Sequence, residues 1–323
     1  MELLGKKFIS LVNQMKAMRI NSAKQGPTFL TADIPQPQPR AGEALIRVQA
    51  AGVIVTELGW YPTSHTKTGD ARLGAVPIHE FSGVVAALGD DATGFEVGQQ
   101  IYGMNDSFAD GALAEFCLTR PENIAAKPAT LTAEAAASVP ISALTAWQGL
   151  LDRAKIQPGE RVLIQGGTGA VGIFAVQLAR LHGAHVIATA SARDMEFVRQ
   201  LGADEAIDYQ ASRFEDKTGK VDVVFDTVGG ETLDRSWRVL KPGGRMVTIA
   251  SEYEEHTEQR VKDAFFIVEP SHKQLAAVAE LLDSGKLRTF VKAIVPFDRA
   301  ADAYNGSLRS NRTPGKIVVS VSA

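Results

Sequence analysis

The sequence contains a single cysteine, Cys117, among its 323 residues. One thiol cannot form an internal disulfide, and it cannot supply the several thiolates of a structural zinc site. Cysteine this scarce fits a reducing compartment. Long hydrophobic runs are also missing, because residues 8–12 are too few for the core of a signal peptide and no stretch approaches about 18 uninterrupted apolar residues. We therefore expect a cytoplasmic protein with no membrane partner.

The sequence also lacks an excess of positive charge. Lysine and arginine total 34 against 37 for aspartate and glutamate, which leaves a net charge of -3. Nucleic acids and anionic membrane surfaces are bound largely through fields of basic residues, so this balance argues against a nucleic-acid partner. The 323 residues, 45% of them hydrophobic, are enough for two globular domains with substantial cores.

The first 130 or so residues have the pattern of a β domain. Short runs such as 43–50 alternate apolar and polar residues, and glycines separate them. The segment 34–39 carries three prolines and cannot join the interior of a sheet. No helical period interrupts these runs convincingly, so we predict a mostly antiparallel β domain.

From Thr132 the pattern changes to alternating helices and strands. An alanine-rich helix begins there, and amphipathic helices then fall between most of six predicted strands. This order is typical of parallel βαβ units with right-handed crossovers, and it predicts a doubly wound parallel sheet. Two last strands, 289–295 and 316–321, could extend this sheet or return to the β domain. The six predicted strands are residues 161–165, 185–189, 205–207, 221–225, 244–250 and 264–268.

A glycine-rich loop follows the first of these strands directly and opens a helix. In this setting the first glycine permits a tight turn, the second lets the backbone approach a pyrophosphate, and the third lets the helix pack on the strand. The helix N-terminus adds free N–H groups and a partial positive charge. We predict dinucleotide binding, and the alternative is a tight turn with no ligand. The G-x-G-x-x-G loop consists of Gly167, Thr168, Gly169, Ala170, Val171 and Gly172.

The end of the second parallel strand indicates which dinucleotide binds. NAD-binding units place a carboxylate there for the ribose hydroxyls, whereas this chain has Ser191 and Arg193. Ser191 can donate a hydrogen bond and Arg193 can pair with a 2'-phosphate, so NADPH is favoured over NADH. Asp194 could partly cancel the charge of Arg193. In the alternative interpretation, Arg193 and Asp194 are simply a solvated helix start.

Several further segments carry a resemblance to a known family. They are AGV at 51–53, PIHEFSGVV at 77–85, SALTAW at 142–147, PGE at 158–160 and LGAD at 201–204, together with the glycine loop. They resemble the medium-chain dehydrogenase/reductase superfamily, specifically its zinc-free quinone oxidoreductase (zeta-crystallin-like) branch.

The resemblance implies an α/β protein with two domains. Residues 1–140, completed by 289–323, would form a GroES-like, β-rich catalytic domain. Residues 141–288 would form a Rossmann domain, a doubly wound parallel sheet that binds NADPH. The resemblance thereby places the two last strands in the first domain, and it implies a cleft in which the nicotinamide meets the substrate.

The resemblance also implies chemistry without zinc. Zinc-dependent members hold the metal with a cysteine after the Ala-Gly pair, a histidine before a glutamate and a second cysteine. Here only His79 is present, and Val53 stands at the first position. One imidazole cannot make a zinc site, because three protein ligands are the usual minimum. The expected reaction is hydride transfer to a quinone or to an α,β-unsaturated carbonyl, an alkenal or enone.

Three residues are candidates for catalysis. Tyr61 can donate a proton or stack on the nicotinamide, or it packs against Trp60. His79 can donate a hydrogen bond, although a lone histidine after an apolar run is more often structural. Thr145 resembles the threonine that relatives place beside the nicotinamide, or it bonds to the carbonyl one turn earlier in its helix. Ile54 departs from the asparagine that zinc-free relatives often carry near the substrate.

Further cofactor contacts are implied at the carboxyl ends of the parallel strands, where doubly wound sheets bind ligands. Tyr209 resembles a tyrosine that lies near the adenosine phosphate in relatives. The other candidates that follow these strands are Asp226, Val228, Ala250 and Ser251.

Two other functions stay open. One is an enoyl-thioester reductase of the same superfamily. A long acyl carrier would need a basic binding surface near the cleft, and the sequence gives no indication of one. The other is a non-catalytic NADPH-binding protein, because a fold alone does not determine function.

The apolar segment 264–268 also predicts an association. As a sixth strand it would lie at the edge of the sheet, where unpaired backbone groups invite another strand. We therefore expect a homodimer through the edge of the Rossmann sheet.

Overall fold

The computed structural model describes residues 13–23, 26–250, 258–310 and 313–322. Within these residues the strands form a hairpin, a seven-stranded mixed sheet and a five-stranded parallel sheet. In chain order the strands are β1 (Gln14–Ala23), β2 (Gly26–Pro35), β3 (Ala44–Gly52), β4 (Glu80–Leu88), β5 (Gln100–Met104), β6 (Phe116–Thr119), β7 (Ile124–Ala126), β8 (Arg161–Gln165), β9 (His185–Ala190), β10 (Glu205–Asp208), β11 (Val221–Asp226), β12 (Leu240–Thr248), β13 (Val291–Pro296) and β14 (Lys316–Ser320).

The mixed sheet is built from both ends of the chain. Its order is β13-β14-β3-β4-β5-β7, and β6 pairs with the first half of β3. Because β14 pairs antiparallel with β3, the last strands return to the first unit. The parallel sheet comes from the middle of the chain. This architecture confirms the predicted fold class, a GroES-like β-rich unit with a Rossmann-type parallel sheet.

The parallel sheet has the order β10-β9-β8-β11-β12. The chain runs from β8 outward through β9 to β10, and then crosses back to β11 and β12 on the other side of β8. The direction of winding therefore reverses between β8 and β11, and such a switch point opens a crevice at the carboxyl ends of the strands. Val162, Leu163 and Ile164 in β8 are all fully buried, as expected for a parallel strand covered on both faces.

The helices connect and cover these sheets. Thr132 caps α2, because its hydroxyl accepts a hydrogen bond of 3.2 Å from Ala135 N. Gly202 ends α5 with a φ of +115°, which favours glycine. A π-helical segment, Gln148–Arg153, continues α3. The helices are α1 (Tyr61–Ser64), α2 (Ala133–Ala137), α3 (Pro140–Trp147), α4 (Ala170–Leu181), α5 (Met195–Leu201), α6 (Gly230–Ser236), α7 (Gln259–Ala264) and α8 (His272–Asp283).

The predicted sixth strand, 264–268, is wrong. Ala264 ends α7, and after it Phe265 pairs with Thr248 of β12 only as an isolated bridge in the described part of the chain. The burial of Val261 and Ala264 against the sheet holds this segment in a helix end. An apolar run this short is ambiguous between strand and helix, and tertiary packing decided it.

One hydrophobic core joins the two units. Tyr102 of β5 belongs to the same buried cluster as Leu144 of α3 and Val223 of β11. The Tyr102 hydroxyl also donates a hydrogen bond of 2.6 Å to Leu275 O in α8. Among the helices of the described residues, none has both the length and the apolar character needed to cross a bilayer.

Candidate active site

The glycine loop lies between β8 and α4, at the switch point of the parallel sheet. Gly166, one residue before the predicted motif, has a φ of +79° and makes the tight turn that we expected at Gly167. A Cβ atom on Gly172 would lie 2.1 Å from Gly166 O, so only glycine lets α4 pack this closely on the loop. The tight turn and the close packing are therefore provided by Gly166 and Gly172.

The N-terminus of α4 fits a pyrophosphate. Its N-cap residue, Gly169, has no side chain that could accept a hydrogen bond from the first turn. The N–H groups of Ala170, Val171 and Gly172 have no acceptor within the helix either. Such an end carries a partial positive charge and binds phosphate oxygens well. Together with the half-buried Thr168 in the loop, these residues fit a nicotinamide dinucleotide.

Thr189 of β9 holds the glycine loop in place. Its hydroxyl accepts a hydrogen bond of 3.0 Å from Gly166 N and donates one of 2.9 Å to Gln165 Oε1. Its carbonyl oxygen accepts a bond of 2.9 Å from Gly167 N. Sequence reasoning did not assign Thr189 a role. The available signal was a polar residue near the carboxyl end of a mostly apolar strand.

The residues predicted at the carboxyl ends of the strands border the same crevice in part. A Cβ atom on Gly166 would lie 3.2 Å from a methyl group of Val228, so Val228 is next to the glycine loop. Val228 is 52% exposed and Tyr209, after β10, is 57% exposed. Ala250 follows β12 and is half-buried. Ser251 lies outside the described residues.

Asp226 ends β11 and is fully buried. Its carboxylate accepts hydrogen bonds of 3.0 Å from Gly229 N and 2.9 Å from the Thr248 hydroxyl, and a longer one of 3.3 Å from Val228 N. Burial raises the pKa of this carboxyl, and the three donors oppose that rise. Its oxygen atoms therefore hold the loop that carries Val228 and are turned into the protein.

Ser191 and Arg193 follow β9, and both are held by Asp194. The Ser191 hydroxyl donates a hydrogen bond of 2.6 Å to Asp194 Oδ2, and Arg193 Nε donates one of 3.2 Å to the same atom. The side chain of Arg193 is 45% exposed, whereas that of Asp194 is 13% exposed. The two donors predicted to meet a 2'-phosphate therefore already converge on one internal carboxylate.

His79 belongs to a buried hydrogen-bonded group. Its Nδ1 atom lies 3.4 Å from Glu57 Oε2, and its Nε2 atom lies 3.3 Å from Ala109 O. The Tyr304 hydroxyl donates a bond of 2.5 Å to the other oxygen of Glu57. Burial and the neighbouring Glu57 raise the pKa of Tyr304. Both ring nitrogens of His79 thus have partners inside the protein, which favours the structural interpretation.

Tyr61 begins α1, and its side chain is 50% exposed. Its ring stacks on that of His65, with centroids 4.4 Å apart and an angle of 5° between the planes. The aromatic partner is therefore His65 and not Trp60. The phenol also lies near Gly69 in the same loop.

Arg72 fastens the loop of Tyr61 to a second loop. Its Nη1 atom donates a hydrogen bond of 2.8 Å to Pro62 O, and its Nη2 atom donates to Ala109 O. Nη2 also lies 3.0 Å from Asp110 Oδ1. Because Ala109 O is the neighbour of His79 Nε2 as well, one carbonyl connects the two loops and the histidine.

Thr145 lies in α3 and is 5% exposed. Its hydroxyl donates a hydrogen bond of 2.6 Å to Ile141 O, which is the bond within the helix that the alternative interpretation foresaw. The first turn of α3 is held by Glu80, whose Oε2 atom accepts a bond of 2.9 Å from Ile141 N. The other oxygen of Glu80 pairs with Lys316. Burial raises the pKa of Glu80, and Lys316 opposes that rise.

Comparisons with known proteins agree on one family. The description "Alcohol dehydrogenase GroES-like domain" matches residues 40–129, and "Zinc-binding dehydrogenase" matches residues 201–319. The "Probable zinc-binding oxidoreductase, mitochondrial" of Arthroderma benhamiae is 32% identical over 91% of this chain and 93% of its own length. The "NADPH-dependent alkenal/one oxidoreductase, chloroplastic" of Arabidopsis thaliana is 33% identical over 90% of this chain and 75% of its own length.

A solved structure, the quinone oxidoreductase from Coxiella burnetii, superposes with a TM-score of 0.85 at 29% identity and covers 96% of this chain and 100% of its own. The chain belongs to the quinone oxidoreductase family of the medium-chain dehydrogenase/reductase superfamily. The resemblance to the quinone oxidoreductases of this superfamily, inferred from the sequence, is confirmed.

Within this family, the residues that the structure describes do not fit a zinc centre. Val53, at the first ligand position, is a buried apolar residue. Cys117 lies opposite Ile46 in the mixed sheet and is buried, and burial raises the pKa of its thiol. Over the described ranges, no three histidine, cysteine, aspartate or glutamate side chains are grouped so that they could hold a metal.

Sequence reasoning about this family member missed two buried groups. Glu57 and Tyr304 are 247 residues apart, and Glu80 and Lys316 are 236 apart. Charged residues are almost never fully buried unless they are paired, but nothing in the sequence around Glu57 marks it as buried. No local pattern could have named its partner.

Proposed function

We propose that this chain is an NADPH-dependent, zinc-independent reductase that transfers a hydride to a quinone or to the double bond of an α,β-unsaturated carbonyl. The observation that carries the proposal is the glycine loop beneath the uncapped N-terminus of α4 at the switch point of the sheet. The relatives named alkenal/one oxidoreductase and quinone oxidoreductase support this class of substrate.

This reaction does not require a strong Lewis acid to stabilise the charge that develops on the substrate oxygen. When bound, the reduced dinucleotide supplies the hydride. The conjugated system of a quinone or enone itself spreads the negative charge that develops on the oxygen. The chain therefore needs to orient the two reactants and to offer a hydrogen-bond donor to that oxygen. Of the side chains that commonly bind zinc, the single cysteine is buried, and both ring nitrogens of His79 have partners within the protein. These two observations support a reaction without zinc.

We assign the donor role to Tyr61. Its hydroxyl is on a half-exposed side chain at the start of a helix, in a loop that Arg72 holds in place. Thr145 would lie beside the nicotinamide, as in the family. His79 would support the site through Glu57 without touching the substrate.

We propose NADPH over NADH because of Ser191 and Arg193. A hydroxyl and a guanidinium beside the end of β9 suit a 2'-phosphate, which carries more acceptors than a hydroxyl. Tyr209 and Ala250 would border the adenosine half of the cofactor, and Val228 the crevice near the pyrophosphate.

The test follows the oxidation of NADPH and of NADH, by loss of nicotinamide absorbance, against quinones, alkenals, cyclic enones and an enoyl thioester. We expect turnover with NADPH on a quinone or enone. Tyr61→Phe should lower kcat by about 10- to 100-fold and leave the Kd for NADPH within about threefold. Trp60→Phe, at the neighbouring aromatic residue, is the control and should keep the wild-type kcat.

Other outcomes contradict the proposal in distinct ways. A clear preference for the enoyl thioester indicates the alternative enzyme of the same superfamily. Tight binding of NADPH with no turnover on any compound indicates a non-catalytic binding protein. Equal kcat for Tyr61→Phe and the wild type removes Tyr61 from the reaction.

We also propose the two domains, their boundaries and an association. Strands β1 to β7, β13 and β14 support a catalytic domain of residues 1–140 completed by 289–323. Strands β8 to β12 form the parallel sheet and support a nucleotide-binding domain of residues 141–288. For a homodimer through the edge of the parallel sheet, the support is Ile267, which is 66% exposed beside β12. Light scattering at micromolar concentration should find a dimer for the wild type and a monomer for Ile267→Glu. The single, buried Cys117 supports a cytoplasmic location.

A further inference from the structure

Glu80 and Lys316 form an ion pair whose side chains are 0% and 4% exposed. Both residues belong to the mixed sheet, where Glu80 begins β4 and Lys316 begins β14. Taking two charges out of water is costly, and an apolar pair of similar volume is often as stable. Stability alone therefore explains this pair poorly, and its other contacts are more informative.

The Glu80 carboxylate also caps a helix of the other unit. Its Oε2 atom accepts a hydrogen bond of 2.9 Å from Ile141 N, in the first turn of α3. Pro140, the first residue of this helix, has no N–H group, and the N-cap residue Val139 has no side chain that could act as a cap. Glu80 thus supplies from a distant strand the acceptor that the local sequence lacks.

The position of this carboxylate is fixed by close packing. A Cβ atom on Gly52 would lie 2.9 Å from Glu80 Cγ and 2.3 Å from Ala137 O. Glycine at this position lets β3, α2 and the Glu80 side chain approach one another. With Lys316 on one oxygen and Ile141 N on the other, Glu80 has little room to move.

The helix held in this way carries a site residue. Thr145 lies one turn after Ile141, and its hydroxyl donates to Ile141 O at 2.6 Å. Leu144 of the same helix packs in one cluster with Ile173 of α4, the helix that begins at the glycine loop. The orientation of α3 therefore relates Thr145 to the place where the cofactor would bind.

We propose that Glu80 and Lys316 are positioning residues: their ion pair holds the first turn of α3 and so sets Thr145 against the nicotinamide. This inference rests on the proposed function and adds to it a pair of residues that do not touch substrate or cofactor. Misplacement of a reacting group by about 1 Å can cost about 100-fold in rate, so loss of the pair should lower kcat while the cofactor still binds.

The experiment compares four variants of the full chain. Lys316→Met removes one partner of the ion pair and leaves the Glu80 charge buried. The double variant Glu80→Leu/Lys316→Met replaces both partners by apolar residues, so it should fold even if Lys316→Met does not. Lys316→Arg keeps the charge. Lys241→Met is the control, because Lys241 forms a half-buried ion pair with Asp222 in the parallel sheet, away from α3.

Two readouts are needed. For Lys316→Met and the double variant we expect kcat to fall by about 10- to 100-fold with the Kd for NADPH within about threefold, and Lys316→Arg to keep kcat within about threefold. Hydrogen exchange of the peptide covering α3 should be at least about tenfold faster in both variants and unchanged in the control. Exchange of the peptide covering α4 should stay at the wild-type rate.

A double variant with wild-type kcat and wild-type exchange in α3 overturns the inference, because the pair would then serve stability alone. A wild-type enzyme that reduces no quinone or enone overturns the proposed function instead. In that case hydrogen exchange still decides the inference, since it needs no substrate, and an unchanged α3 peptide in Lys316→Met overturns it.

Discussion

Asp194 accepts a hydrogen bond of 2.6 Å from the Ser191 hydroxyl, at the place where a 2'-phosphate would need that hydroxyl. The same oxygen accepts from Arg193 Nε. If NADPH binds as proposed, this internal carboxylate would compete with the 2'-phosphate for both donors and would repel that phosphate. Cofactor preference at this site depends on the balance between Arg193 and Asp194.

The first prediction concerns Asp194→Asn. Removal of the negative charge takes away the carboxylate that would compete with the phosphate for Arg193 and repel that phosphate, while the amide oxygen can still accept from Ser191. We expect the ratio of kcat/KM for NADPH to that for NADH to rise by about tenfold, which corresponds to about 1.4 kcal/mol. Steady-state kinetics with both cofactors measure this ratio.

Asp302→Asn is the control for this change. Asp302 accepts a hydrogen bond of 2.6 Å from Arg299 outside the parallel sheet, so the charge change is the same and the site is different. Its cofactor ratio should match the wild type. A ratio that moves toward NADH in Asp194→Asn contradicts the competition described above.

The second prediction concerns Arg72→Lys. Arg72 reaches Pro62 O and Ala109 O with two different nitrogens, and the single ammonium of lysine cannot do both. The loop of Tyr61 should become less ordered, so kcat/KM for an enone should fall by about tenfold. The Kd for NADPH, measured by fluorescence, should stay within about twofold because the glycine loop is untouched.

Arg120→Lys serves as the matched control, since Arg120 is an exposed arginine near Glu122. Equal losses of enone turnover in the two variants would mean that the two hydrogen bonds from the Arg72 guanidinium do not position the loop of Tyr61. A large rise in the Kd for NADPH in Arg72→Lys would also contradict the prediction, because it would mean that Arg72 affects the glycine loop as well as the loop of Tyr61.

The third prediction concerns Gly172→Ala. The added Cβ would lie 2.1 Å from Gly166 O, which is backbone and cannot move without displacing the loop. We expect the free energy of unfolding to fall by about 1–3 kcal/mol and NADPH binding to weaken by at least about tenfold. Urea denaturation and cofactor fluorescence measure the two effects.

Gly59→Ala is the comparison, because a Cβ atom there would have no neighbour within 4 Å. It should leave both the free energy of unfolding and the Kd for NADPH close to the wild-type values. Wild-type binding of NADPH by Gly172→Ala would show that α4 does not need this close approach.

How much of this site could be predicted depends on sequence separation. The glycine loop was predictable because its strand, its glycines and its helix are adjacent in the chain, and each glycine has a local physical reason. The position of the tight turn at Gly166, one residue earlier than predicted, could not be predicted. A φ angle depends on packing, which the spacing of glycines in the sequence does not specify.

The contact between Glu57 and Tyr304 could not be predicted, because the two residues are far apart in the sequence. Tyr304 meets Glu57 across 247 residues, and only the return of the last strands to the mixed sheet brings them together. The segment 264–268 failed because an apolar run of five residues suits a strand and a helix end equally. In both cases tertiary packing made the choice.

The last prediction concerns pH and Asp283, the final residue of α8. Its carboxylate accepts hydrogen bonds of 3.0 Å from Thr130 N, 2.8 Å from the Thr130 hydroxyl and 3.1 Å from Ala129 N. The bonds from Thr130 hold the pKa of Asp283 below its ordinary value. A lowered pKa in the folded state contributes stability that is present above the unfolded value and is lost as the pH falls through the folded value.

We therefore expect Asp283→Asn to lower the free energy of unfolding at neutral pH by about 1 kcal/mol or less, because this exposed group is screened by solvent. Below about pH 4 the wild type should lose this contribution, so the two curves of urea midpoint against pH should converge in acid. Asp234→Asn, at an exposed position in α6, should follow the wild-type curve throughout. If the difference between Asp283→Asn and the wild type were constant with pH, the effect would come from the shape of the side chain and not from its charge.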